Sequence, residues 1–171
     1  FKKYVYGYLK KRFPSKFKII SKTIKLAGIP ESAVNIEVKD LLSLKGPVTV
    51  GIYTLPDEVH LVITAKAQSD KKILDLINGV KRKIYSRLKS YIFGEDNDLL
   101  EAEAGKLLLK KEKTVALAES ATGGLVSSRI TDIAGSSRYF LGSIIAYSNT
   151  SKINTLTVKK TTVSKYGAVS K

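Results

Sequence analysis

The chain has no cysteine, no methionine and no tryptophan, and one histidine among its 171 residues. Without cysteine there are no disulfides and no thiolate metal ligands. A lone His60 leaves little room for histidine-based catalysis or a zinc site. No apolar run approaches the roughly 20 residues that a membrane-spanning helix needs. The opening stretch, FKKYVYGYLKKRFPSKFK, has no apolar centre followed by a small-residue cleavage site, so it does not read as a signal peptide. By elimination the expectation is a soluble, cytoplasmic protein without a membrane partner. Natural reading frames open with methionine, so a start at Phe1 is expected of an internal fragment or a processed product.

Hydrophobic residues make up 43% of the chain, enough to build real cores, and the length suits one domain or two small ones. The net charge is +15, unevenly placed. Residues 1–90 hold 19 Lys/Arg against 7 Asp/Glu, and residues 91–171 hold 11 against 8. Such a basic half attracts nucleic acid or anionic ligands. Yet 25 of the 30 basic residues are Lys and only five are Arg, the usual reader of phosphates and base edges. A lysine-rich, solvated surface is favoured over a nucleic-acid partner.

Along the chain, KIISKTIKLAGI (18–29) reads as a strand ending at Gly28 and Pro30. PESAVNIEVKDLLSL opens a helix with proline and repeats apolar residues at Val34, Val38, Leu41 and Leu42. VTVGIYTL and VHLVITAKA flank PDE as a hairpin, with Val59, Leu61, Ile63 and Ala65 on one face. A long helix is expected from Asp70, as its cap, to Phe93, with an apolar stripe of Ile73, Ile77, Val80, Ile84, Leu88 and Tyr91. FGEDND (93–98) reads as a boundary. Its Glu95, Asp96 and Asp98 lack the periodicity of a calcium loop and suit a solvated linker with helix caps.

From Leu99 the grammar changes to helix, strand, helix, strand, short helix, which is that of an α/β layer with a parallel sheet. The strand TVALAE runs into SATGG, after which LVSSRITDI forms a helix. A strand over Phe140 to Tyr147 then leads to SNTSKINTL, capped by Ser148 or Asn149. Ser120 and Thr122 therefore fall where ligands sit in open α/β sheets, beyond a strand's carboxyl end. Gly123 and Gly124 let backbone N–H groups approach a phosphate or an oxyanion closely. A serine nucleophile needs a base, and a lysine of lowered pKa can serve. Lys152, five residues after Tyr147, is the candidate if the two strands are neighbours. On pattern alone, Ser120 serves equally as a helix cap and Lys152 as a solvated charge.

AESATGG, GSS, YSNTSK and YGAVS, occurring in that order, resemble the carboxy-terminal domain of the CinA family of competence/damage-inducible proteins. GIPES, PDEVHLVITAKA and YIFGEDND resemble that family's KH-like middle domain. The resemblance implies a small α+β KH-like module at 1–93, followed by a partial α/β layered domain with a mainly parallel sheet at 94–171. It implies hydrolysis of the carboxamide of nicotinamide mononucleotide to nicotinic acid mononucleotide and ammonia, with no metal and no cofactor. By matching motifs, Ser120 would be the nucleophile, Lys152 its general base and Tyr147 an aid to proton transfer. Thr122, Gly123 and Gly124 would line the site, and Ser137 of GSS would join the same polar network. Glu119 would orient neighbours or cap the following helix. The partners implied are a nucleotide substrate and a second copy in a homodimer. Nucleic acid is the rival partner, but no GXXG clamp is present. The family's deamidase domain continues beyond GAVSK, and its amino-terminal domain is absent, so the chain reads as truncated.

Overall fold

The computed structural model describes residue 5 and residues 7–169. Ser170, which closes the GAVS block, lies outside the described residues. The chain divides into two compact units, residues 1–98 and 99–171.

The first unit begins with a short helix, α1 (Gly7–Arg12), and continues as β1 (Lys18–Ala27), α2 (Glu31–Glu37), α3 (Lys39–Leu42), β2 (Val48–Leu55), β3 (Glu58–Ala67), α4 (Asp70–Leu88) and β4 (Ile92–Glu95). Its antiparallel sheet has the order β2-β3-β1-β4. Alternation sorts the side chains: Val59, Leu61, Ile63 and Ala65 of β3 are buried, together with Ile24 and Leu26 of β1. Against them α4 lays Ile73, Ile77, Val80, Ile84 and Leu88, while Val34, Val38 and Leu41 fill the end of the core. Between β2 and β3, Pro56 and Asp57 turn the chain, Asp57 taking a positive φ of 64°.

Three details depart from the sequence reading. Ser69, not Asp70, caps α4, its Oγ accepting from Lys72 N–H at 3.3 Å. Asp70 instead pairs with Lys18 at 2.9 Å. The helix stops at Leu88, and after one 3₁₀ turn the chain becomes β4, which pairs with Lys25 and Leu26 of β1. The division between units accordingly falls after Asp98. Nor is FGEDND a solvated linker. Lys81 and the Tyr85 hydroxyl hold Glu95, Lys22 holds Asp96 at 2.5 Å, and Asp98 accepts from Glu95 N–H at 2.8 Å. Partial burial raises the Tyr85 pKa to about 12, with the Glu95 carboxylate adding to the effect. Burial pushes Glu95 upward too, but the bonds from Lys81 and Tyr85 win and leave it below the ordinary carboxylate range.

The second unit runs α5 (Leu100–Lys110), β5 (Val115–Glu119), α6 (Leu125–Thr131), β6 (Phe140–Ile145), α7 (Asn149–Leu156) and α8 (Lys160–Tyr166). Here the sheet is one parallel pair, β5 beside β6. Tyr139, at the entrance to β6, is 3% exposed and packs on the face of α5 at Gly105. Its hydroxyl is buried without a hydrogen-bond partner among the described residues.

A β carbon on Gly105 would lie 2.5 Å from the Tyr139 hydroxyl and 2.7 Å from Cζ. Overpacking of this kind costs about 1–3 kcal/mol, against the roughly 1 kcal/mol that alanine contributes as a better helix former. Gly105→Ala is therefore expected to lower the thermal midpoint of the second unit. Tyr139→Phe alone is expected to be neutral or stabilising, because it removes an unsatisfied buried group. Thermal denaturation followed by circular dichroism checks both.

Candidate active site

Glu119 stands opposite Ile145 in the parallel register, and Ala146 N–H donates to the Glu119 carbonyl at 2.8 Å. Both strands therefore end on the same edge, the edge at which α/β sheets take ligands. Ser120 leaves β5 there, half-buried, and Ala146, Tyr147 and Ser148 leave β6. Ser148 Oγ accepts from Ser151 N–H at 3.0 Å and caps α7, which sets Lys152 in that helix's first turn. The Lys152 Nζ turns back to donate to the Tyr147 carbonyl at 2.7 Å. The Tyr147 side chain itself is 73% exposed. Ser120, Tyr147 and Lys152 are thus brought to one edge. No hydrogen bond links the Ser120 hydroxyl to the Lys152 Nζ among the described residues.

The centre of the turn is Glu119, 5% exposed and the one buried charged side chain among the described residues. Its Oε2 accepts from the Thr122 hydroxyl at 2.8 Å and from the N–H groups of Gly124 and Val126, both at 3.1 Å. Its Oε1 accepts from Ser127 N–H at 2.9 Å and from the Ser127 hydroxyl. Hydrogen bonding by the Ser127 hydroxyl, aided by Thr122 and the backbone donors, outweighs desolvation and draws the Glu119 pKa down to about 2. The glycines make the geometry accessible. Gly123 and Gly124 have φ of 59° and 100°, and a β carbon on Gly124 would lie 2.8 Å from Ile145 Cδ1.

This arrangement redistributes the roles assigned from sequence. Gly123 N–H donates to the Ser120 carbonyl at 3.0 Å, and Gly124 N–H is held by Glu119. Neither glycine amide is open to an oxyanion or phosphate; what the pair supplies is backbone conformation. Every N–H from Gly123 to Ser128 has an internal partner. The amides of Ser120, Ala121 and Thr122 have none among the described residues. Ser137 lies elsewhere. It sits in the 3₁₀ turn Ser136–Arg138 that leads into β6, so the six residues of that strand, at about 3.3 Å each, separate it from the Ser120 edge. Strands that run parallel enter at one edge and leave at the other, and Ser137 is at the entry edge. Ser127 was not singled out in the sequence, where it is one of two serines inside an ordinary helix pattern.

Among the described residues, the first unit carries no comparable site. His60 Nε2 lies 2.8 Å from Glu58 Oε2 on the open face of the sheet. No cluster of three potential metal ligands is found among the described residues. Helices α2 and α3 abut at the buried Val38 with no glycine between Glu31 and Leu42, so there is no glycine clamp. On the basic face of α4, Lys81 pairs with Glu95 and Arg87 with Asp40, leaving Arg82, Lys83 and Lys89 exposed. No helix among the described residues is long and apolar enough to cross a membrane.

An antiparallel sheet backed by helices, followed by a parallel strand pair with a polar turn at its carboxyl edge, defines a two-module protein of mixed α/β class. The family model for the damage-inducible protein CinA KH domain matches residues 21–94, and that for the CinA C-terminal domain matches residues 97–171. The chain belongs to the CinA family. A CinA-like protein of Prochlorococcus marinus (strain MIT 9215) is 44% identical over 169 residues, covering 99% of this chain and 40% of that protein. A second, from strain MIT 9312, is 45% identical over 163 residues, covering 95% of this chain and 38% of that protein. The chain thus spans about 40% of the length of the curated relatives it matches. Among solved structures, the competence/damage inducible protein CihA from Agrobacterium tumefaciens is 35% identical, with 42% of this chain and 43% of that chain covered and a TM-score of 0.41.

Because the folded-state pKa of Glu119 lies below its ordinary value of 4.5, its stabilising effect is complete above pH 4.5 and is lost as pH falls through about 2. A ¹³C NMR titration of the Glu119 carboxyl is expected to show a midpoint near 2, well under those of exposed glutamates. A midpoint at 4.5 or above contradicts the hydrogen-bonded geometry.

Proposed function

We propose that the second unit supplies the reacting serine of an amide hydrolase acting on the carboxamide of nicotinamide mononucleotide. The observation that carries this reading is the parallel pairing of β5 with β6, under which Ser120, Tyr147 and Lys152 share one strand edge. Family membership supports it.

In this mechanism the Ser120 hydroxyl attacks the carboxamide carbon and its proton passes to neutral Lys152. The tetrahedral intermediate collapses as Lys152, aided by the Tyr147 hydroxyl, returns the proton to the leaving nitrogen, and ammonia departs. Lys152 then takes a proton from water, which attacks the acyl-serine ester. As that second tetrahedral intermediate collapses, Lys152 returns the proton to the departing Ser120 Oγ, and nicotinic acid mononucleotide and the free serine result. Thr122 lines the site through its open N–H. The reaction as written requires neither a metal nor a redox cofactor.

For the first unit we propose a scaffold that joins catalytic modules and builds a homodimer. Its exposed Ile19, Tyr53 and Leu55, all on the outer side of the sheet, support this role. The absence of a glycine clamp and the internal pairing of Lys81 and Arg87 weigh against the rival reading, a nucleic-acid-binding module. The scaffold reading predicts concentration-dependent dimerisation in sedimentation and no salt-sensitive RNA binding.

Ammonia release from nicotinamide mononucleotide tests the chemistry. Ser120→Ala and Lys152→Ala are each expected to lower turnover by at least about a thousandfold, and the double variant by no more than the worse single one. Turnover that survives Ser120→Ala would sink the serine mechanism.

A further inference from the structure

A carboxylate buried directly before the proposed nucleophile is an unusual choice, since it places negative charge where an oxyanion must form. The structure resolves this by surrounding the charge. Five donors converge on Glu119: two hydroxyls, from Thr122 and Ser127, and three amides, from Gly124, Val126 and Ser127. They come from both sides of the Gly123–Gly124 turn, so one side chain ties the strand end to the first turn of α6. The amides that remain open are those of Ser120, Ala121 and Thr122, on the segment between the carboxylate and the glycines. The start of α6 is therefore already occupied by an internal anion, and substrate phosphate has no vacant donors there.

We infer that Glu119 is a positioning residue, which holds Ser120 and the open amides of Ala121 and Thr122 in the geometry of attack by closing the turn from behind. The inference rests on the serine-amidase reading above and deepens it. Glu119 touches neither substrate nor the reacting atoms; it acts through the backbone it captures. Both oxygens of the side chain must accept. Oε2 takes three donors and Oε1 takes two. A glutamine of the same shape fails here, because its amide nitrogen would face donors whichever way it is turned. Aspartate keeps the charge and both acceptors, but on a shorter stem.

The test compares Glu119→Gln and Glu119→Asp with the unsubstituted 171-residue chain, at a temperature where circular dichroism shows all three folded. Two readouts are taken: steady-state ammonia release from nicotinamide mononucleotide, and the rate at which a fluorophosphonate probe labels Ser120 with loss of fluoride. For Glu119→Gln, kcat is expected to fall about 10- to 100-fold with KM within about twofold, and labelling to slow in parallel. Glu119→Asp is expected to recover part of both. A purely structural cap would lower the thermal midpoint and leave kcat and labelling of the folded variants unchanged, which would overturn the inference while leaving the serine mechanism intact. An unsubstituted chain that neither turns over the nucleotide nor accepts the probe at Ser120 would overturn the serine mechanism and this inference with it. Probe labelling without nucleotide turnover still decides the role of Glu119, through the labelling rates of the variants.

Discussion

Parallel pairing of β5 with β6 forces the two strands to end on the same edge, and the chemistry proposed for the second unit depends on that constraint. An antiparallel pair would send Ser120 and Lys152 to opposite ends of the sheet. The parallel pair requires a crossover, and α6 provides it within the 20 residues between Glu119 and Phe140. That short crossover brings a helix start hard against a strand end. The Glu119 carboxylate resolves the crowding by accepting from the donors left unpaired at the start of α6. Fold and site are joined at this residue, since the group that closes the crossover also shapes the turn carrying the serine.

The first unit uses acidic residues differently. Glu95 closes the edge strand β4 and Asp96 and Asp98 follow it; they bind back to Lys81, Lys22 and the Glu95 amide, tying the strand to both the sheet and α4. These are partly exposed pairs, each contributing little alone. Most of the stability comes from the apolar layer between β1, β3 and α4, where eight or more aliphatic side chains are almost wholly buried. A sheet with one covered face and one open face suits a connector, and its pairing of Lys81 and Arg87 leaves a weaker cationic surface than the sequence total implies.

The sequence carried most of this architecture because the signals were local. The alternation of Val59, Leu61, Ile63 and Ala65, the stripe from Ile73 to Leu88, and the strand–turn–helix rhythm after Leu99 each report a buried face without reference to the rest of the chain. What was not legible depends on distant partners. β4 is four residues long and reads as linker, since only its pairing with β1 makes it a strand. Asp70 looks like a cap until Lys18, 52 residues away, claims it. The glycines at 123 and 124 announced a special turn, but not that their amides face inward. Ser137 sits in a GSS block that carries no signal of which edge it occupies. Ser127 carries two of the five bonds to Glu119, yet the two stand eight positions apart in sequence and nothing in LVSSR marks the first serine.

The most direct measurement is mass spectrometry of the chain quenched in acid while it turns over nicotinamide mononucleotide. The account predicts a covalent adduct on the peptide that contains Ser120, with the mass of the acylating nucleotide, and its absence in Ser120→Ala. Ammonia release that continues with no adduct at Ser120 in the unsubstituted chain, and undiminished in Ser120→Ala, would contradict it and assign the attack to water.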